Sequence, residues 1–233
     1  MTKTETEFDR VAGSYVQDVN QAVPCWAGAM DKYTRIKADH LRRKLAEYFG
    51  VHPPLTLLDA GCGIGLTDEY LKPFFPYLHG FDVSRESVRL AAIRNPEVRY
   101  LEASGGEFPY PDAKFDAVFA ICVLHHVPPQ KRPVFFKEVL RVLRPGGGFW
   151  IYEHNPRNPF TRYVVRQCPF DQDAVLIPPK DCGSLLKKEG FEPAEVEYMI
   201  FFPSESDWWQ TQERRWLRHI PWGAQYCLSA KKP

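Results

Sequence analysis

One stretch constrains this chain more than any other: Leu57-Leu58-Asp59-Ala60-Gly61-Cys62-Gly63-Ile64-Gly65, an apolar run that passes directly into glycines at alternate positions. Such a run, ended by glycine, reads as a buried parallel strand, and the glycines let the backbone turn sharply and approach a ligand with no Cβ in the way. A nucleotide-type ligand is implied. The dinucleotide fingerprint G-x-G-x-x-G needs a glycine at position 66, where Leu66 stands, and the carboxylate of Asp59 would repel a pyrophosphate. The loop therefore suits a cationic ligand without phosphates.

The patterning on either side alternates between helix and strand. Ala38, Leu41, Leu45 and Phe49 lie three to four apart within a helical segment at 5–49 that Gly50 stops. Strands are expected at 55–59, 77–82, 98–102, 115–123 and 148–152. Helices are expected at 66–75, 84–95 from the N-cap Ser84, and 130–143 before Pro145-Gly146. Beyond them come a proline-rich insertion at 155–179, a helix at 180–189 and closing strands at 195–202 and 226–230. A further helix at 204–219 carries Trp208, Trp209 and Trp216, whose burial the pattern does not assign. Alternating strands and helices imply a parallel sheet covered on both faces. Asp82, closing the second strand, can accept from both hydroxyls of a ribose or can cap the following helix.

Three motifs together, Asp59-Ala60-Gly61-Cys62-Gly63-Ile64-Gly65, Gly80-Phe81-Asp82-Val83-Ser84 and Leu143-Arg144-Pro145-Gly146-Gly147-Gly148, resemble the successive motifs of class I S-adenosylmethionine-dependent methyltransferases. The resemblance covers roughly residues 8–155. It implies a Rossmann-like α/β fold with a mostly parallel seven-stranded sheet, its last strand antiparallel, and helices on both faces. A helical N-terminal lid is expected over 1–50 and the core over 51–233. The implied cofactor is S-adenosylmethionine, leaving as S-adenosylhomocysteine. By resemblance Gly61, Cys62 and Gly63 meet its methionine part, Asp82 holds its ribose, Ala103 with Ser104 brackets its adenine, and Asp59 and Ile121 also belong to the cofactor site. Phe8-Asp9-Arg10-Val11-Ala12-Gly13-Ser14-Tyr15 is similar to the family's lid, in which Tyr15 would reach the cofactor. Many members carry an aspartate at the position of Ser104, so the charge-assisted part of that adenine contact is expected to be missing.

Methyl transfer from a sulfonium asks the protein to align the acceptor, exclude water and remove a proton. Leu124-His125-His126-Val127 and Tyr152-Glu153-His154-Asn155 fall at the ends of strands four and five, so His125, His126 and His154 are the candidate bases, with structural hydrogen bonding as the alternative role for each. Glu153 is expected to orient His154 or to bind an acceptor amine. No metal is expected, on the ground that two adjacent histidines cannot readily aim at one ion from a strand end and the nearby carboxylates do not complete a ligand set. Specificity is expected in the N-terminal helices and in the insertion, where Cys168-Pro169-Phe170-Asp171 resembles a subgroup of bacterial small-molecule methyltransferases, often of secondary metabolism.

The 233 residues carry a formal net charge of +1, which argues against nucleic acid or an anionic membrane as partner. Arg214-Arg215-Trp216-Leu217-Arg218-His219 accordingly reads as a solvated helix face. No apolar run reaches the roughly 20 residues that span a bilayer, and the six cysteines are scattered without a C-x-x-C pair, so reduced thiols and a cytoplasmic location are expected. The expected protein is a monomer or homodimer that methylates oxygen or nitrogen of a small molecule. A C-methyltransferase and a cofactor-binding protein without methyl transfer are the alternatives.

Overall fold

Leu57, Leu58, Asp59 and Ala60 are all buried, because the first strand lies at the centre of a sheet packed on both faces and its side chains alternate between two cores. In the computed structural model, residues 9, 12–13, 29–50, 54–103, 106–168, 171, 173–202 and 206–233 are described. The elements in chain order are α1 (Ala29–Phe49), β1 (Thr56–Ala60), α2 (Leu66–Leu71), β2 (Tyr77–Asp82), α3 (Arg85–Arg94), β3 (Arg99–Glu102) and β4 (Phe115–Ile121). They continue as α4 (Arg132–Val142), β5 (Leu143–His154), α5 (Pro159–Gln167), α6 (Pro179–Lys188), β6 (Glu192–Met199), α7 (Asp207–Gln212) and β7 (Gln225–Lys231).

The seven strands run in the order β3-β2-β1-β4-β5-β7-β6. Pairs β1–β2, β2–β3, β1–β4 and β4–β5 are parallel, and β7 is antiparallel to both β5 and β6. This is the expected Rossmann-like α/β architecture. The strand order reverses between β1 and β4, so a crevice opens at their carboxyl ends.

Period-two alternation sorts the side chains. Leu58, Ala60, Val118, Ala120, Phe149 and Ile151 join Phe136, Val139 and Val142 of α4 and Cys182 and Leu186 of α6. Leu57, Ala117, Phe119, Trp150 and Tyr152 face the other way, against Ala38, Leu41 and Leu45 of α1 and Leu71 of α2. Residues 29–49 of the expected lid segment thus contribute to one of the two cores. Ser84 caps α3 by accepting from the Ser87 amide at 3.1 Å.

Several boundaries depart from the sequence expectation. The second helix ends at Leu71, before the prolines reach it. Strand β5 starts at Leu143, pairs with Phe115, and resumes at Gly148 opposite Ala117 after a bulge that absorbs Arg144-Pro145-Gly146-Gly147. Strand β6 begins three residues before its expected start. The insertion contains α5, capped by Asn158, whose side chain accepts from the Thr161 amide at 3.0 Å. The last helix is short and passes into a π-helical turn at Glu213–Leu217, with Trp208, Trp209 and Trp216 exposed. Among the described residues Cys62, Cys122, Cys182 and Cys227 are free thiols. Among the described residues no helix is long and apolar enough to cross a membrane.

Candidate active site

The glycine loop, the end of β2 and the ends of β4 and β5 meet at the same edge of the sheet. Gly61 has φ 88°, and a Cβ there would stand 2.7 Å from Val123 Cγ2, so only glycine fits between the loop and the segment after β4. The amides of Gly61 and Cys62 both donate to Phe81 O, at 2.9 and 3.0 Å, which ties the loop to β2. At Gly63 a Cβ would meet no protein atom. Asp82 accepts from the Gly63 amide at 2.8 Å and from the Ser84 amide at 2.9 Å. It organises the turn into α3, whose cap is Ser84, and keeps its half-buried carboxylate at the crevice.

Asp59 and Asp68 face each other under this loop. Burial and their mutual charge raise the Asp59 carboxyl well above the usual range, and burial raises Asp68 to about 7 against its hydrogen bond from Tyr100. One proton shared by the pair relieves the repulsion. Oδ1 of Asp59 has no hydrogen-bond partner within the protein. The one negative charge left on the proton-sharing Asp59–Asp68 pair, the carboxylate of Asp82 and an open face at Gly63 fit a cationic nucleoside and disfavour a pyrophosphate. Ala103 follows β3 and donates its amide to Asp82 O at 2.9 Å, and Ile121 ends β4 beside the same edge. Cys62 is buried, its thiol pushed up by burial. Tyr15 and Ser104 lie outside the described residues. Asp9 does not: it accepts from Ser84 Oγ at 2.6 Å and from the Glu86 amide at 3.2 Å, which puts an acidic side chain on the first turn of α3.

The second half of the site turns on Cys122, a non-glycine residue at φ 58° just after β4. Such left-handed backbone is held only where the surroundings impose it. Here it aims the next two amides at one carboxylate: Glu153 Oε1 accepts from Val123 at 3.0 Å and Leu124 at 2.6 Å, and Oε2 meets His125 Nδ1 at 2.6 Å. Glu153 therefore orients His125 and not His154, contrary to the sequence reading. Nε2 of His125 and Nε2 of His126 each stand 3.4 Å from Asp171 Oδ1. The ring centroids of His125 lie 4.1 Å from His126 and 4.9 Å from His154. The three candidate histidines form one cluster.

Their charges differ. Burial pulls His125 down, but the charge of Glu153 and the hydrogen bonds of Asp171 and Glu153 outweigh it and hold the ring as an imidazolium. Burial and that positive ring together lower His126 to about 3 and His154 to about 4, so both are neutral. Burial raises Asp171, yet the hydrogen bond and charge of His125 bring it down to about 2.

Three partners in this cluster were not picked out as site residues from the sequence. Asp171 comes from the insertion, where its Cys168-Pro169-Phe170-Asp171 motif signalled only a subgroup. Lys37 of α1 donates to Cys122 Sγ at 3.7 Å, and Gln225 of β7 reaches Cys122 Sγ at 3.5 Å and His154 Nδ1 at 3.4 Å. Nothing local in the sequence marks Lys37 or Gln225, because topology alone brings α1 and β7 to this edge. The ligand-type atoms of His125, His154 and Asp171 all lie within 4.8 Å of one another. This set draws on His154 of β5 and Asp171 of the insertion in place of the adjacent His126, a combination that the argument from adjacent histidines did not weigh.

The family described as a methyltransferase domain matches residues 58–151. A methyltransferase of uncharacterised role from Synechocystis is 30% identical over 149 residues, covering 62% of this chain and 70% of its own. A sterol 24-C-methyltransferase of Gibberella zeae is 31% identical over 130 residues, which are 53% of this chain but only 33% of the fungal protein. In three dimensions the chain superposes over 99% of its length on a possible histamine N-methyltransferase of Thermotoga maritima, covering 100% of that chain with a TM-score of 0.70 at 18% identity. With the glycine loop, the acidic end of β2 and the strand order already in place, these likenesses make the chain a member of the class I S-adenosylmethionine-dependent methyltransferase family.

Proposed function

We propose that this protein transfers the methyl group of S-adenosylmethionine to an oxygen or nitrogen of a small molecule seated over the histidine cluster. The observation that carries the reading is the gathering of His125, His126 and His154 at the carboxyl end of the same sheet that carries the glycine loop and Asp82. When bound, the cofactor supplies an electrophilic methyl whose bond to sulfur breaks as the bond to the acceptor forms. Asp82 accepts from the ribose hydroxyls, and Gly61, Cys62 and Gly63 let the methionine part lie against the backbone. Asp59, with its unpartnered oxygen, faces the cationic end. Ala103 and Ile121 border the base.

His126 takes the proton that the acceptor loses. A neutral histidine is needed for that step, and the adjacent Asp171 carboxylate, 3.4 Å from its Nε2, stabilises the imidazolium that forms. His125, already charged and held by Glu153, cannot accept a proton and instead positions Asp171. Asp171 of the insertion and Lys37 of α1 stand on the acceptor side.

The reading is tested by incubating the purified protein and cofactor with acceptor libraries and looking for a gain of one methylene in mass. With an acceptor in hand, His126→Ala should lower kcat by about 10²–10⁴-fold and leave cofactor affinity unchanged. Full turnover in this variant would remove the base role from His126.

A further inference from the structure

We propose that His125, His154 and Asp171 form a binding site for one divalent transition-metal ion at the acceptor side of the crevice. The inference concerns what the cluster binds and does not rest on methyl transfer. Two ligand atoms each about 2.0–2.1 Å from a tetrahedrally bound ion stand about 3.3 Å apart. Nε2 of His125 and Oδ1 of Asp171 are 3.4 Å apart, the separation of two ligands of one ion. His154 completes the set, with all three ligand atoms within 4.8 Å of one another, so a shift of at most about 1.5 Å in its partly buried ring closes the site.

The surroundings are those of a metal centre. Metal-binding histidines commonly give their other ring nitrogen to a carboxylate, which fixes the tautomer and the ring direction. His125 does this with Glu153 at 2.6 Å, and Glu153 is itself fixed by the Val123 and Leu124 amides. The three ligands come from three places, the turn after β4, the end of β5 and the insertion, and the last of these is anchored where the Val175 amide donates to His125 O at 2.9 Å. Two imidazoles and one carboxylate select a borderline ion such as Zn²⁺ or Fe²⁺ over Mg²⁺ or Ca²⁺. Three protein ligands also leave a coordination position that an acceptor oxygen, nitrogen or sulfur can fill. With His154 engaged as a ligand, His126 remains as the neighbouring base.

The test uses the untagged full chain, stripped with a chelator and titrated with Zn²⁺, anaerobic Fe²⁺ or Mg²⁺ by calorimetry, with Co²⁺ added separately to read its visible ligand-field bands. About one equivalent of Zn²⁺ or Fe²⁺ should bind and raise the Tm, Mg²⁺ should not, and Co²⁺ should give the intense bands of a four-coordinate ion. His154→Ala and Asp171→Asn should each weaken Zn²⁺ by 100-fold or more, Glu153→Gln by about 10–100-fold, and His126→Ala by less than about 3-fold. Folding of each variant is checked by circular dichroism. Absence of saturable uptake of any of the three transition ions, or Zn²⁺ affinity in His154→Ala equal to wild type, overturns the proposal. Zinc binding without methyl transfer leaves this site standing and sinks the enzymatic reading; methyl transfer by chelator-stripped protein that takes up no ion does the reverse.

Discussion

Asp68 shows how much of this site's electrostatics is invisible one residue at a time. In the sequence it is an unremarkable acid in the first turn of a helix; in the fold it is fully buried against Asp59 and accepts from Tyr100 Oη at 2.6 Å. Its carboxyl is raised to about 7, so the folded state holds a proton that the unfolded chain releases near its ordinary, lower value. A raised carboxyl costs stability as pH climbs from the unfolded value through the folded one. Asp68→Asn removes that cost and keeps an acceptor for Tyr100. Relative to wild type, the variant should therefore gain about 1–3 kcal/mol in stability between about pH 5 and about pH 8, read by thermal melts of the ligand-free protein. A wild-type minus variant difference that does not change with pH would show that the pair is not protonated in the native state. The same scale explains Cys122, where the left-handed turn could not be read from an ordinary cysteine in an apolar strand.

At the scale of elements, the insertion is the part whose function was least legible. Its prolines and polar residues read as loop, yet it folds as α5 and is stitched to the chain before β7 by side chains that cap backbone carbonyls. Asn155 Nδ2 donates to Gly223 O at 2.8 Å and Pro221 O at 3.2 Å, Asn158 Nδ2 to Trp222 O at 2.7 Å, and Thr161 Oγ1 to Ala224 O at 2.8 Å. The acceptor side of the site is framed by this seam, since Asp171 lies beyond α5 and Gln225 follows Ala224. Asn155 is completely buried, so Asn155→Ala leaves carbonyls without donors at a cost of about 1–3 kcal/mol. It should also raise amide exchange selectively at 156–167 and 221–224. Uniform exchange across the protein, or none, would mean that the seam does not couple these segments.

Over the whole molecule, the sheet is covered on one face by α4 and α6 and on the other by α1 and α2. Helix α1 also carries polar groups across the sheet edge: His40 meets Tyr152 Oη at 2.9 Å and Glu197 at 3.2 Å, and Lys44 bridges Glu195 at 2.8 Å and Glu197 at 2.6 Å. Leu41 is 0% exposed at the centre of that contact. Truncation to Ala in such a site costs about 2–5 kcal/mol, so Leu41→Ala should lower the Tm by about 5–15 °C in a chain of this size. A Tm within a degree or two of wild type would show that α1 is only loosely attached.

The sequence by itself determined the fold class, the glycine turn, the acidic end of β2 and the cofactor chemistry, because each of these is written in contiguous residues whose local backbone demands are strong: alternate glycines, an apolar run, a capped helix start. It also located His125, His126 and His154 at strand ends, since the carboxyl edge of a parallel sheet follows from the β-α alternation. Only the tertiary structure decided what those histidines are. Their charges depend on burial and on Glu153 and Asp171, which lie 28 and 46 positions beyond His125, and Lys37 and Gln225 reach the site from opposite ends of the chain. Electrostatic energies act through space over a few ångströms, and a linear sequence records no such distance.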